Sequence, residues 1–583
     1  MASPAQEPSF KALFTPKLIT VLREGYGLSD FRADAIAGLT VAIVALPLSM
    51  AIAIASGVTP DRGLYTAIIG GFLISALGGS RFQIGGPAGA FIVVVATTVA
   101  VHGVEGLLLA TMISGVFLML AGFLRLGTFV KFIPYPVTVG FTAAIALIIF
   151  ASQIKELLGL AMPNGEPGPL LPKLVALWDA LPSISVSAVV LSLASIVVIM
   201  GLRRTRPGWP SMLIAVVGAS LAAWGLGLDV ETIGTRFGGI PASLPSPALP
   251  EISLAKAIAV LPAAASFALL GSIESLLSAV VADSMTGRRH RSNCELVAQG
   301  IANIAAPLFG GFCVTGTIAR TATNIRSGAR GPVSGMLHSG FLLLFLVVAA
   351  PLAAFIPLAA LAGVLATVAW NMSERHAFAT LLKASRGDAV VLLVTFLLTV
   401  FVDLTTGILV GFAAASLLFL HRMSQSVEVE AGLALEDKAD RIEGEAREAY
   451  DPSEAGGREI AVCRISGAFF FGAAASVANA LERIAAKPKA YVIDVSAVPF
   501  LDSTAAATIE GFLRKGLQRG TAIFISGANP AIRKMLHAQG LKPPEVHFRK
   551  DLPTAMTAAR KAIDEAKAAS AVAAAESADD AAF

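Results

Sequence analysis

The chain has 583 residues, of which 55% are hydrophobic and only 14% are charged. A soluble domain usually carries about 25% charged residues, so the composition indicates a membrane protein. The formal net charge of +4 is too small to suggest a nucleic-acid-binding protein. The three cysteines have no metal-ligand spacing and are interpreted as reduced thiols. The polar N-terminus does not have the pattern of a cleaved signal peptide.

The N-terminal two thirds of the chain predict a transmembrane domain. Residues 1–34 form a cytoplasmic segment, and residues 35–422 contain about fourteen apolar segments, some of them short. Lysine and arginine residues are concentrated in alternate loops between these segments. The positive-inside rule then places both termini in the cytoplasm and the chain in the inner membrane.

The character of the sequence changes after residue 422. Residues 423–458 are charged and polar, which is typical of a linker. Residues 459–561 alternate short apolar runs with helical patterns and predict a small α/β domain, with helices at Ala475–Ile484, Ser503–Leu517 and Ala531–Gln539. The low-complexity tail, residues 562–583, is predicted to be disordered.

Two glycine-rich segments, Gln83–Phe91 and Phe309–Arg320, lie in the two halves of the membrane region, near the third and tenth apolar segments. Interrupted segments at matching positions are the sequence indication of a transporter site built from inverted repeats. A half-helix that starts within the membrane directs free N–H groups into a cavity, and two such ends can hold an anion. The alternative is that these glycines only allow close helix packing.

Two charged residues bear on this site. Arg320 lies just inside the second segment, where it adds positive charge, or alternatively extends to the cytoplasmic surface. Glu274 lies within the eighth segment, where a carboxylate costs about 2.5–3.5 kcal/mol on insertion scales. It shares a helix face with Ser278, so the two could hold a coupling cation, either a proton or sodium. The alternative is a structural carboxylate. Asp283, Asp403 and His338 are interpreted as structural.

The residues also support a family resemblance. The runs PDRGLYTAIIGGFLISALGGSR (Pro60–Arg81) and TGTIARTATNIRSGA (Thr315–Ala329) resemble the SulP anion-transporter family, with Arg62 in place of a usual tyrosine. Within it the chain looks most like the bacterial four-carbon dicarboxylate branch. The resemblance implies an α-helical polytopic membrane protein with 7+7 inverted repeats, a core and a gate domain, and an anion between the two half-helices.

The resemblance also assigns residues. The substrate positions it implies are Pro87, Ala88, Gly89, Thr315, Gly316, Thr317 and Arg320, and the cation-coupling positions are Glu274 and Ser278. Sodium-coupled relatives carry aspartate and threonine at those last two positions, which favours protons here. No metal or other cofactor is implied.

The run VIDVSAVPFLDSTAA (Val492–Ala506) resembles the STAS domain, a small cytoplasmic α/β module. Ser503 matches a serine that is phosphorylated in related antagonist proteins, although a helix-capping role is the alternative. The module is expected to help the protein form a homodimer.

The sequence therefore predicts a transporter rather than an enzyme, with proton-coupled uptake of a C4-dicarboxylate such as succinate or fumarate, or of sulfate. A sodium-coupled bicarbonate or sulfate symporter, a passive anion conductor regulated by the STAS domain, and a membrane-tethered scaffold remain alternatives. Sequence does not choose among these anions, because helix-end sites bind anions generically.

Overall fold

A computed structural model describes residues 10–128, 132–162, 166–206, 208–432, 459–482 and 488–580 of the chain. It divides into two compact units, Met1–Ala415 and Ser416–Phe583. The first is helical and contains the apolar segments. The second is an α/β unit, preceded by the end of the last long apolar helix.

The helices of the membrane region are, in chain order, α1 (Phe10–Phe14), α2 (Lys17–Gly25), α3 (Leu28–Ala55), α4 (Pro60–Tyr65), α5 (Gly71–Leu77), α6 (Ile92–Phe123), α7 (Tyr135–Leu158), α8 (Leu170–Ala180), α9 (Val186–Thr205), α10 (Ser211–Gly225), α11 (Ile233–Phe237), α12 (Leu254–Thr286), α13 (Ser292–Leu308), α14 (Ile318–Arg326), α15 (Val333–Ala353), α16 (Leu358–Met372), α17 (Arg375–Ala384), α18 (Arg386–Phe401) and α19 (Leu404–Gln425). A π-helical turn, Thr66–Gly70, joins α4 to α5.

Within the described residues, seven helices are long and apolar enough to cross a membrane by themselves. One of them, Gly89–Phe123, is divided at Gly103, whose φ of +68° glycine adopts without strain. With the two parts counted separately and α4–α5 as one, the described residues give the fourteen predicted segments: α3, α4–α5, the two parts of α6, α7, α9, α10, α12, α13, α14, α15, α16, α18 and α19. The predicted polytopic helical fold is confirmed.

Some glycines do serve close helix packing. A Cβ on Gly115 of α6 would lie 2.6 Å from the carbonyl oxygen of Gly300 of α13, and one on Gly300 would lie 2.5 Å from that of Gly115. Neither position accepts a side chain without separating the helices. Small residues at such crossings let membrane helices pack backbone to backbone.

The second unit is a five-stranded sheet in the order β3 (Glu428–Gly432), β4 (Ile460–Ser466), β5 (Ala490–Ala497), β6 (Ala522–Ser526), β7 (Val546–Arg549). Strands β4 to β7 are parallel, and β3 is antiparallel to β4. The helices are α20 (Ala474–Glu482), α21 (Ser503–Leu517), α22 (Pro530–Ala538) and α23 (Leu552–Asp580). The helices cover both faces of the sheet, and apolar side chains fill the space between them and the strands, as the predicted α/β domain requires.

The structure differs from the predicted domain limits in two places. Residues 423–425 continue α19 and residues 428–432 form the edge strand β3, although both were predicted as linker; residues 433–458 lie outside the described residues. Helix α23 continues to Asp580, where disorder was predicted after residue 561. The alanine-rich tail has high intrinsic helix propensity, whereas the prediction of disorder rested on its low-complexity composition alone.

The interior of the α/β unit is conventional. Cys463 is buried in β4, and burial raises the pKa of its thiol to about 12, which fits an unreactive reduced cysteine. Asp494 of β5 is 1% exposed and is fully paired. It binds Nε of Arg464 at 2.9 Å and accepts hydrogen bonds from the hydroxyls of Ser496 and Ser526.

Candidate functional site

The two glycine-rich segments meet in the membrane unit. Each contains a two-residue strand, β1 (Gly85–Gly86) and β2 (Thr315–Gly316), and these strands pair antiparallel. The register places Gly85 opposite Gly316 and Gly86 opposite Thr315. The two segments, about 230 residues apart in sequence, thus run in opposite directions side by side, as inverted repeats require.

A helix begins directly after each strand, and neither start is capped by a side chain. The first begins as a single 3-10 turn at Gly89, with Ala88 at the N-cap position, and continues into α6. The second, α14, has Thr317 at its N-cap, but the Thr317 hydroxyl donates to the carbonyl of Ile84 at 3.3 Å instead. The first N–H groups of a helix have no acceptor within the helix, so these two ends present free donors and positive partial charge.

Arg320 of α14 extends toward the first half-helix. The residue is 2% exposed, so the alternative in which it extends to the cytoplasmic surface is wrong. Its Nη2 donates to the Ser49 hydroxyl at 3.1 Å and to the Pro87 carbonyl at 3.4 Å. Its Nε and Nη1 have no partner among the described residues. A buried guanidinium with two unpaired nitrogens is a strong donor toward an anion.

Glycine at position 86 makes room for this guanidinium. A Cβ on Gly86 would lie 1.9 Å from Nη1 of Arg320, far inside contact distance. A Cβ on Gly89 would lie 3.2 Å from Cδ1 of Ile149 in α7 and 3.6 Å from the sulfur of Met372 in α16. The start of the first half-helix therefore lies against both the guanidinium and two helices from elsewhere in the fold.

The hydroxyls of the second segment are committed to the protein. The Thr315 hydroxyl donates to the carbonyl of Gly271 in α12 at 3.1 Å, and the Thr317 hydroxyl is bound to Ile84. Gly316 lies against the side chain of Gln83. These positions can therefore contribute backbone groups to a ligand more readily than side chains.

Glu274 and Ser278 of α12 have different surroundings. Glu274 is half-buried, and no hydrogen bond or ion pair reaches its carboxylate from the described residues. Ser278 is fully buried, and its hydroxyl donates to Oγ1 of Thr321 in α14 at 3.1 Å. Thr321 in turn accepts from the backbone N–H of Ile84 at 3.1 Å. Ser278 thus ties α12 to both half-helix segments, while the Glu274 carboxylate is unpartnered.

A cavity of about 790 Å³ reaches the first half-helix. Ile92, Val93 and Ala96, about one turn beyond Gly89, are among its lining residues, and so are several charged residues. One of these, Lys173, is held by the Ser152 hydroxyl and by Glu166, both at 2.8 Å. The cavity lining includes the first turn of α6 but not Gly89 itself.

Residues predicted to be structural take structural positions. Asp283 pairs with His290 at 2.7 Å, and Asp403 accepts a hydrogen bond from the N–H of Thr406 at the start of α19. His338 is fully buried in α15, with no hydrogen bond to either ring nitrogen among the described residues.

In the α/β unit, Ser503 is exposed in the first turn of α21. The capping alternative for Ser503 is wrong, because Asp502 is the N-cap residue and accepts from the N–H of Ala505 at 2.8 Å.

Sequence reasoning did not identify the buried polar residues that lie behind the site, namely Gln83, Ser275 and three residues of α13. Glu295, Gln299 and Asn303 are buried at a spacing of four residues on α13. The Glu295 carboxylate accepts from the N–H groups of Gly79 and Ser80 at 2.8 and 3.0 Å. The sequence signal that could have identified the α13 residues is their polar character at a spacing of four within an apolar segment.

Comparison with known families gives two matches. The model of the sulfate permease family matches residues 31–395, and the STAS domain model matches residues 455–555. YvdB of Bacillus subtilis, which is named as a sulfate transporter, is 40% identical over 90% of this chain and 97% of its own length. The bicarbonate transporter BicA of a Synechocystis strain is 33% identical over 87% of this chain and 90% of its own.

Two solved structures extend the comparison. The transmembrane domain of a cyanobacterial bicarbonate transporter BicA superposes with a TM-score of 0.58 at 32% identity, covering 67% of this chain and 98% of that one. The murine Solute Carrier 26 family member A9 anion transporter superposes with a TM-score of 0.79, covering 96% of each chain. Its identity of 17% supports the shared fold alone.

Proposed function

We propose that this chain, which belongs to the sulfate permease family, carries a small anion across the cell inner membrane together with a proton. It is an anion transporter with a C-terminal STAS domain, and its relatives are transporters rather than enzymes. The coupling ion, the identity of the anion, the inner-membrane location with cytoplasmic termini, and the homodimer are parts of the proposal.

The observation that carries the proposal is the convergence of positive groups at the paired strands. Two uncapped helix starts and a buried guanidinium with two unpaired nitrogens lie around β1 and β2. Burying a charge without a partner is costly, so a protein retains one where a ligand of opposite charge completes it. The anion would bind to the N–H groups at Ala88 and Gly89, to those following Thr317, and to Arg320.

The unpartnered carboxylate of Glu274 supports cation coupling. Glu274 lies on α12, which is bound to the second segment through Ser278 and Thr315 and to the first through Ser275, and this supports a coupling site on the helix that contacts the anion site. A proton needs only the carboxylate, whereas sodium needs several oxygen ligands. Glutamate and serine stand at positions 274 and 278, where sodium-coupled relatives carry aspartate and threonine, and this resemblance favours a proton over sodium.

The substrate is proposed as a class. Sulfate and bicarbonate are the anions in the names of the relatives, and the four-carbon dicarboxylates come from the sequence resemblance. All three suit a site of backbone N–H groups and one guanidinium, because such donors recognise charge and oxygen atoms rather than a particular skeleton.

The decisive experiment is uptake into proteoliposomes. Labelled sulfate, bicarbonate and succinate are each supplied with and without an inward proton gradient. Gradient-driven accumulation of one anion above the level in protein-free liposomes is the expected result and identifies the substrate, since that control accounts for the CO2 that acidified bicarbonate sends across the bilayer. Movement that only equilibrates that anion, with a reversal potential set by its own gradient, would contradict coupling and favour the passive conductor.

The Glu274→Gln variant tests the carboxylate. The amide fills the same space but does not take up a proton, so we expect gradient-driven accumulation to be lost while anion-for-anion exchange persists. Asp283→Asn is the matched control, since Asp283 lies on the same helix and is paired with His290. Undiminished accumulation by Glu274→Gln would refute this role for Glu274.

A further inference from the structure

A buried set of amide and hydroxyl groups joins α12 to the strands that precede both half-helices. Ser275, the residue directly after Glu274, is fully buried. Its Oγ accepts a hydrogen bond from Nε2 of Gln83 at 2.7 Å and lies 2.8 Å from the side-chain amide of Gln299. We call Gln83, Ser275 and Gln299 the α12 bridge.

The amide of Gln299 fixes the bridge to β2. We assign its oxygen toward Ser275, because that orientation gives each of its polar atoms a partner of the right kind. Oε1 then accepts from the Ser275 hydroxyl at 2.8 Å and from the backbone N–H of Gly316 at 3.0 Å, and Nε2 donates to the carbonyl of Val314 at 3.2 Å. Gln299 therefore holds the backbone just before α14.

Gln83 fixes the bridge to the other segment. It lies two residues before β1, and its amide lies against the opposite strand, where a Cβ on Gly316 would be only 1.7 Å from Nε2. Its buried Oε1 has no donor among the described residues. Gln83 thus links the start of one repeat to the strand of the other and to α12.

A further buried side chain of α13, Glu295, holds the segment between α5 and β1. Glu295 lies one turn before Gln299 on α13 and binds the N–H groups of Gly79 and Ser80. Buried polar groups are costly unless satisfied, and a nearly satisfied network fixes one arrangement of the elements it joins. The α12 bridge is therefore a defined mechanical connection between α12 and both half-helices.

We propose that the α12 bridge couples cation occupancy at Glu274 to anion affinity at the two half-helix starts. The proposal rests on the proton-coupled transport proposed above. Glu274 and Ser275 are consecutive on one helix, so a shift of α12 on loading Glu274 also moves the Ser275 hydroxyl. Hydrogen bonds weaken steeply with distance and angle. When the Ser275 hydroxyl moves, Gln83 and Gln299 must therefore move with it to keep their bonds, and β1 and β2 move with them. Gln83, Ser275 and Gln299 are then positioning residues for transport.

The test measures coupling rather than activity. Binding of labelled sulfate, which stays a dianion throughout, to the full-length protein is titrated at an acidic and at an alkaline pH. Labelled succinate is used if sulfate does not bind, with the acidic pH kept above the pKa values of both its carboxyl groups. We expect the unaltered protein to bind the anion about 5-fold or more tightly at acidic pH, a typical coupling factor. In Ser275→Ala the ratio should fall toward one, while the affinity at alkaline pH changes by less than about twofold.

Ser272→Ala is the matched control, because the Ser272 hydroxyl bonds within its own helix, to the carbonyl of Leu269 at 2.7 Å. It should keep the pH ratio of the unaltered protein. Gln299→Met and Gln83→Met remove the other two members at similar volume and should reproduce the loss if Ser275→Ala does not fold.

The outcomes separate the two proposals. A pH-dependent affinity that survives in folded bridge variants overturns the α12 bridge and leaves proton coupling intact. An affinity that is independent of pH in the unaltered protein overturns proton coupling, and the bridge with it.

Discussion

Two buried charges, one in each unit, have opposite surroundings. Asp494 in the α/β unit is 1% exposed and has an arginine and two serine hydroxyls as partners. Arg320 in the membrane unit is 2% exposed, yet only two neutral oxygens contact it and two of its nitrogens have no partner among the described residues. Both charges are removed from water, but only one is compensated by the protein.

The difference distinguishes a buried charge that stabilises the fold from one that is kept for binding a ligand. A compensated charge stabilises the elements that surround it, and removing it leaves its partners unsatisfied. An uncompensated charge costs folding free energy and is retained for a ligand that completes it. The next three variants test this distinction.

The largest effect is expected at Arg320. Arg320→Gln should lower the rate of anion uptake about 30-fold or more, because losing a charged partner of a bound anion costs about 2–5 kcal/mol and each 1.4 kcal/mol is about tenfold. Thermal stability should be unchanged or higher, since an unpaired buried charge is removed. Arg326→Gln, on the exposed last turn of the same helix, is the control and should transport normally.

Asp494→Ala should have the opposite profile. It leaves Arg464, Ser496 and Ser526 without their shared acceptor, and we expect a loss of about 2 kcal/mol of local stability because Arg464 is partly exposed. Hydrogen exchange of β5 and β6 amides in the full-length protein should accelerate about tenfold or more. Exchange as slow as in Asp564→Ala, an exposed-carboxylate control in α23, would show that Asp494 is not structural.

The smallest of the three effects is expected from Gly86→Ala. The added methyl group would overlap Nη1 of Arg320, so the guanidinium must move away from the half-helix starts. We expect uptake to fall about tenfold, or about 1.4 kcal/mol, with the fold retained. Gly218→Ala in α10, where a Cβ meets no atom within 4 Å, should have no effect; equal uptake by both variants would place the anion away from Arg320.

The fold was largely predictable because its signals are local. Charge-free runs mark membrane segments wherever they occur, and strand–helix alternation marks the α/β unit. The edge strand β3 was missed because the charged sequence around Glu428–Gly432 has no apolar run, and its pairing with β4 is a tertiary contact. The continuation of α23 was missed because composition was weighed without helix propensity.

The site was predictable only as two segments. Their glycines and Arg320 identified the half-helix starts, but no local pattern indicates the direction of the Arg320 side chain or a role for Gln83, Ser275 or Gln299. Those depend on which residues meet. Gln83 and Ser275 are 192 positions apart, and no periodicity within either segment encodes that contact.

Sequence by itself determined that the chain is a polytopic membrane protein with two interrupted segments, an intramembrane carboxylate and a C-terminal α/β domain. These properties follow from hydrophobicity, glycine positions and charge along short stretches. The tertiary structure alone decided that the segments pair through β1 and β2, that Arg320 lies inward without full compensation, and that α12 is bound to both half-helices. Such features depend on contacts between distant residues, where a neighbour's identity, and not the local pattern, decides whether a polar group is satisfied.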